Sequence, residues 1–145
     1  DLDVHQGDGT ATILANEPRA CTISVHCSTN FPFRKSVSDH DLPVAPGSGD
    51  EVYLNTVREA LDICTAFEPD LILYQAGVDA LEADALGKLN VSREGMRQRN
   101  HLVFEAAGDV PLVVFMGGGY AKPIDASLDS FFDLFSDAAT WNQSD

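Results

Sequence analysis

Asp1, Asp3 and His5 alternate along the first residues of the chain, Asp-Leu-Asp-Val-His. Side chains of an extended segment repeat every two residues, so all three project to one side before Gln6-Gly7-Asp8-Gly9 turns the chain away. Two carboxylates and an imidazole on one face repel one another unless something positive sits among them, and a divalent metal is the usual solution. The plainer reading of so short a pattern is a solvated acidic strand end. A third ligand has to come from another strand end, and Asp79 in Gln75-Ala-Gly-Val-Asp79 is the candidate, with Gly77 letting the backbone turn tightly beside the site. Otherwise Asp79 is an ordinary turn aspartate. Met116-Gly-Gly-Gly-Tyr120 follows the last apolar segment; its glycines allow close backbone approach to a ligand, and a phenol there could hydrogen-bond a developing oxyanion. Its bland counterpart is a flexible turn with an ordinary tyrosine. Phosphate cradling is disfavoured, because neither G-x-x-x-x-G-K-[ST] nor G-x-G-x-x-G occurs.

These residues need a scaffold, and four apolar, β-branched segments predict its strands: Asp1 to Val4, Cys21 to His26, Leu71 to Gln75 and Val110 to Met116. The last two show little alternation, which suits strands buried on both faces, and helical patterns lie between the elements, so a parallel α/β sheet is expected. A first long helix starts after Gly49 with Asp50 as its cap, carries Leu54, Val57, Leu61 and Cys64, and ends before Pro69. A second opens near Ser92, aligns Met96, Val103 and Ala107, and stops at Gly108-Asp109. A third begins just inside Pro123 and places Ile124, Leu128, Phe131 and Phe135 on one side, a stripe expected to cover a sheet face. Residues 28 to 50 and 77 to 90 read as loops. Ligands of open α/β sheets bind outside the carboxyl ends of the strands, which is where the candidate residues fall.

Composition limits the functions available. The 145 residues carry 9 Lys+Arg against 23 Asp+Glu, a formal net charge of -14, with 44% hydrophobic residues. That describes one acidic globular unit spanning residues 1–145. The scattered basic residues disfavour direct nucleic-acid contact, and no run approaches a membrane span. The opening residues are unlike a signal peptide, so a cytoplasmic location is expected. Cys21, Cys27 and Cys64 have no C-x-x-C spacing, which leaves neither a disulfide framework nor a thiolate zinc site indicated.

Five ordered motifs carry a resemblance. Asp1-Leu-Asp-Val-His-Gln-Gly-Asp-Gly9, Pro46-Gly-Ser-Gly-Asp50, Ala76-Gly-Val-Asp-Ala-Leu81, Asp84-Ala-Leu-Gly87 and Gly117-Gly-Gly-Tyr120 resemble the zinc-dependent histone deacetylases of the arginase/deacetylase superfamily. Gln6 is similar to the class IV and related bacterial branch. The resemblance implies a three-layer α/β/α fold around a parallel sheet, here as a partial domain. It implies that Asp3, His5 and Asp79 bind a catalytic Zn²⁺ and that Tyr120 stabilises the oxyanion during hydrolysis of an acetylated amine, an acetyl-lysine or acetylpolyamine type of substrate. Asp1 and Asp8 match the carboxylates that orient a pair of histidines serving as general base and acid. A monovalent cation, K⁺ or Na⁺, is implied at backbone groups of Asp1, Asp3 and His5, with Ser24 and Val25 alongside. The arginase branch would want a carboxylate two residues after His5, where Gly7 stands.

The histidine pair lies upstream of the Asp-x-Asp-x-His motif in the family, and here the motif starts at residue 1. His26, His40 and His101 are the other histidines, none adjacent to another, with His26 the nearest to a substitute base. Since the family domain is roughly twice this length or more, the resemblance implies a C-terminal portion. Two expectations follow: self-association through an uncovered sheet, and an alternative in which the chain binds metal or a partner without turnover. Asn30-Phe-Pro-Phe33 offers a further choice, a substrate-tunnel wall or a protein-docking loop.

Overall fold

In the computed structural model, which describes residues 1–141, the chain forms two parallel strand pairs with helices packed beside them. The elements run α1 (Asp8–Leu14), β1 (Ile23–Cys27), β2 (His40–Val44), α2 (Asp50–Ala66), β3 (Ile72–Gln75), α3 (Arg93–Ala107), β4 (Leu112–Phe115) and α4 (Asp125–Trp141). β1 pairs with β2 in parallel from Ile23↔His40 to Cys27↔Val44, and β3 pairs with β4 in parallel from Ile72↔Leu112 to Gln75↔Phe115. The parallel α/β class expected from the sequence is the one observed.

Residues 1–5 join the two strand pairs but do not form the regular strand that their alternation predicts. Val25 N donates to Asp1 O (3.0 Å) and Cys27 N to Val4 O (2.9 Å) on one side, and Leu2 N donates to Gln75 O (3.0 Å) on the other. The remaining amides turn to carboxylates: Asp3 N to Asp1 Oδ1, Val4 N to Asp79 Oδ1 and His5 N to Asp3 Oδ1, at 2.8 to 3.0 Å. Side chains thus take the donors that a ladder would have used. Tyr53 of α2 secures the same segment, its buried hydroxyl donating to Leu2 O at 3.1 Å.

The three long helices fall where the periodicity puts them. Ser92 caps α3 by accepting from Gly95 N at 3.0 Å, and Met96, Val103 and Ala107 are buried as expected. Gly49, not Asp50, occupies the cap of α2; Asp50 instead accepts from Ser92 N and Oγ, coupling the starts of two helices. α2 packs on β1 and β2, α3 on α2, and α4 on α3. The stripe of α4 is a correction. Its buried residues are Ser127, Ser130, Phe131 and Leu134, while Ile124, Leu128 and Phe135 are exposed: Ser127 Oγ accepts from Ala121 N and Phe131 lies by Gly119, so this side meets the glycine-rich loop, while Asp129, Asp133 and Asp137 pair with Arg93 and Arg97 of α3. One face of β3–β4 is consequently bare, with Leu73, Val113 and Phe115 exposed by 59%, 42% and 48%. Among the described residues no helix is long and apolar enough to cross a membrane.

Candidate metal centre

Asp3, His5 and Asp79 converge although 74 residues separate the last two. His5 Nδ1 lies 3.0 Å from Asp3 Oδ1 and 3.0 Å from Asp79 Oδ2, and one ligand atom from each residue falls within 4.8 Å of the others. Each carboxylate is fixed by its second oxygen, since Asp3 Oδ2 accepts from Gly118 N at 2.9 Å and Asp79 Oδ1 from Val4 N at 2.8 Å. Asp79 is fully buried and Asp3 nearly so. A set of two carboxylate oxygens and an imidazole nitrogen, its carboxylates held by backbone donors, matches what a divalent cation requires.

The protonation equilibria tell the same story. Hydrogen bonds to Asp3 and then to Asp79 raise the His5 imidazole to about 10 against its burial. Burial pushes Asp79 upward, and the nearby Asp3 charge adds to it. For Asp3, burial acts upward as well, but hydrogen bonds from His5 and Gly118 prevail and hold it below the ordinary carboxylate range. A proton on His5 therefore does the electrostatic work that a metal would do.

The centre floors a cavity of about 390 Å³ lined by Asp1, Asp3, His5, Gln6, Gly7, Gln75 and the Gly117–Tyr120 loop, among others. The Asp1 carboxylate packs against Gly7, where a β-carbon would collide with it. Gly118 is equally constrained: a β-carbon there would strike Asp79 Oδ2, lie 2.9 Å from Asp3 Oδ2 and lie 3.1 Å from the Tyr120 ring. Tyr120 itself is 47% exposed at the rim. Of the sequence-read set, Asp1, Asp3, His5 and Tyr120 line this cavity; Asp79 is buried beneath it against His5, and Asp8 sits apart in the first turn of α1, accepting from Gly9 N at 3.0 Å.

Ser24 and Val25 lie behind this wall on β1. Ser24 Oγ is 3.0 Å from His26 Nδ1 and accepts from Gly7 N at 3.4 Å, while Val25 N holds the Asp1 carbonyl. His26 is buried, which lowers its imidazole, and is absent from the cavity lining. Phe31 and Phe33 are exposed and meet edge to face at 6.0 Å.

Several residues around the centre escaped sequence reading. Asn30 is buried, with Nδ2 3.4 Å from His5 Nε2 and 2.8 Å from Leu86 O. Its loop stands out for Phe31 and Phe33, but nothing in the sequence points Asn30 itself at His5. Arg99 is wholly buried, donates to Gly77 O at 2.6 Å and to Asn100 Oδ1 at 2.9 Å, and stands 5.6 Å from the centroid of the Tyr74 ring. A signal existed: Arg99 lies three residues after Met96 and four before Val103, on the apolar face of a helix. Its guanidinium secures the turn that leads into Asp79.

Comparison with known proteins gives a consistent result. The family profile described as "Histone deacetylase domain" matches residues 1–133. An uncharacterised protein of Picosynechococcus sp. is 45% identical over 127 residues, covering 86% of this chain and 42% of that protein. Histone deacetylase 2 of Arabidopsis thaliana is 35% identical over 128 residues, covering 84% of this chain and 33% of that protein. The crystal structure of a histone deacetylase homologue from Aquifex aeolicus superposes with a TM-score of 0.81 at 28% identity, over 94% of this chain and 40% of that one. The chain therefore spans well under half the length of these relatives.

Proposed function

Because the chain belongs to the histone deacetylase domain family, we propose that it furnishes the metal-binding and oxyanion-stabilising part of a zinc-dependent N-acetyl amide hydrolase. The observation that carries this reading is the convergence of Asp3, His5 and Asp79 against Gly118 of the loop that bears Tyr120, at the floor of a cavity lined by Asp3, His5 and Tyr120. Asp3, His5 and Asp79 would hold the Zn²⁺, which when bound supplies a Lewis acid for the amide carbonyl and an acidified water. Gly118 keeps the space above the two carboxylates open and fixes one of them through its N–H. Tyr120 donates its phenolic proton toward the carbonyl oxygen as negative charge builds there. Asp1, facing the cavity, orients a general base brought to that wall, and Asp8 is carried into the same role by resemblance. The monovalent cation beside Asp1, Ser24 and Val25 belongs to the same reading; K⁺ or Na⁺ there would steady the segment that bears two ligands. The substrate is an acetylated amine of the acetyl-lysine or acetylpolyamine type, favoured by the net charge of -14.

A second reading has its own support. Among the described residues no imidazole besides His5 lines the cavity: His26 is buried in β1, His40 is exposed on β2, and His101 lies 3.5 Å from Asp137. A chain with these histidines alone would bind metal and turn over little, since a missing general base costs about 10²- to 10⁴-fold. Calorimetric titration with zinc, followed by assay of an acetyl-lysine peptide, separates the two. Binding with turnover supports the hydrolase, binding without turnover supports the metal-binding remnant, and no binding overturns both.

The bare face of β3–β4 supports one more proposal, that copies of the chain associate through Leu73, Val113 and Phe115. Light scattering across micromolar concentrations checks it, and a monomeric mass throughout rejects it.

A further inference from the structure

Asp84 stands outside the ligand set, half-buried at the edge of the cavity wall. All of its side-chain bonds go to backbone. Oδ1 accepts from Leu86 N and Gly87 N at 2.8 Å each, and Oδ2 accepts from Tyr120 N at 2.7 Å. An ionised carboxylate accepting three amides is among the stronger anchors available to a loop. Its own backbone bridges Ala121, and Ala85 N donates to Tyr120 O at 3.2 Å, so the glycine-rich loop is held from this side at consecutive residues.

The segment that Asp84 organises touches the other parts of the centre too. Gly87 packs so closely on the Asp79 carbonyl that a β-carbon would overlap it. Leu86 O accepts from Asn30 Nδ2 and Lys88 N donates to Asn30 Oδ1, while Asn30 faces His5. Residues 84–88 therefore reach Asp79 directly, His5 through Asn30, and Tyr120 through the Asp84 carboxylate. That carboxylate is the only side chain bonded to the Tyr120 amide among the described residues.

We propose that Asp84 is the positioning residue of Tyr120: by holding the Tyr120 amide to the same segment that packs on Asp79, it fixes where the phenol stands over the metal ligands. This rests on the proposed role of Tyr120 and assigns no contact of Asp84 with substrate. The neighbourhood makes the idea separable from general stability, since Ala85 and Leu86 are exposed and the three bonds span a rim loop rather than the core.

The test compares Asp84→Ala and Asp84→Asn with the unaltered chain by amide hydrogen exchange, ring resonances of ¹³C-labelled tyrosine, and zinc titration. Only three tyrosines occur, and Tyr53 and Tyr74 are buried, so Tyr120→Phe identifies the exposed ring signal. Loss of a charge-assisted bond should speed exchange of the Tyr120 amide by at least about tenfold in Asp84→Ala. The Tyr120 ring signal shifts or broadens, while those of Tyr53 and Tyr74 and the zinc affinity, within about threefold, stay put. Asp84→Asn falls between, because one amide oxygen replaces two charged acceptors. Unchanged exchange and ring signal at Tyr120 in Asp84→Ala overturn the proposal. So do changes at Tyr53, Tyr74 and zinc in step with Tyr120, which make Asp84 a general prop. If the unaltered chain binds no zinc, the functional reading fails, whereas the exchange result still decides whether Asp84 holds Tyr120.

Discussion

The two sides of the cavity are built by different means. On the ligand side, Asp3 and Asp79 are buried and every oxygen is engaged, partly by amides that gave up a strand ladder. On the phenol side, Tyr120 is exposed and its loop hangs on backbone contacts to Asp84 and, through Ala121 N, on Ser127 Oγ at 3.0 Å. The difference teaches that metal affinity and turnover ought to be separable, the first set by packing and the second by the placement of one exposed group.

Asp79→Ala is the most severe challenge to this division. It is expected to reduce zinc affinity to the nonspecific level in calorimetry, beyond the 10- to 100-fold that outer contacts typically cost. Tyr120→Phe should do the reverse, leaving zinc affinity intact while lowering kcat by about 10²- to 10³-fold in an acetyl-lysine peptide assay of any active form. If Tyr120→Phe also weakens zinc binding tenfold, the two sides are not separate. Gly118→Ala probes the seam, because its β-carbon would strike Asp79 Oδ2 and crowd Asp3 Oδ2. Although it lies on the phenol loop, it should weaken zinc by roughly tenfold, the lower end of what disturbing the groups that hold a metal's ligands costs.

The gentlest probe is pH. His5 binds its proton more tightly folded than unfolded, so its contribution to the stability of the metal-free chain is full below its ordinary value of 6.5 and is lost as the pH rises toward about 10. Melting temperature in chelator should accordingly fall over that window. Zinc must displace the same proton, so its affinity should rise by up to about tenfold per pH unit from 6.5 upward, with release of a proton measurable in buffers of different ionisation enthalpy.

Much of this arrangement was legible before any coordinates. Asp3, His5, Asp79 and Tyr120 could be read because strand alternation and glycine turns leave local marks, and α2, α3 and α4 because an apolar stripe repeats. β2 was hidden in the stretch read as a loop: His-Asp-Leu-Pro-Val has no clean alternation, and its Pro43 is tolerated because the strand pairs only with β1. α1 was hidden likewise, seven residues containing a glycine and two threonines and too short to show a period. The orientation of α4 was beyond reach for another reason. Periodicity identifies a stripe but not its partner, and here Ser127 turns to the glycine-rich loop and Arg–Asp pairs tie the helix to α3, while Leu128 and Phe135 face outward. Asp84 and Asn30 both lie in stretches that stand out in the sequence, but their bonds reach backbone 36 and 56 residues away, and local spacing does not encode those partners.

The parallel pairing of the strands has a further consequence, for the order in which the molecule assembles. No strand pair can close by a tight hairpin, and the bonds that define the centre span still greater separations, 75 residues for Val4 to Asp79 and 115 for Gly118 to Asp3. Loop-closure entropy places such contacts late. The ligand set comes together only when nearly the whole chain has found its place, which makes a metal-sensitive dye a clock for the end of folding rather than its beginning.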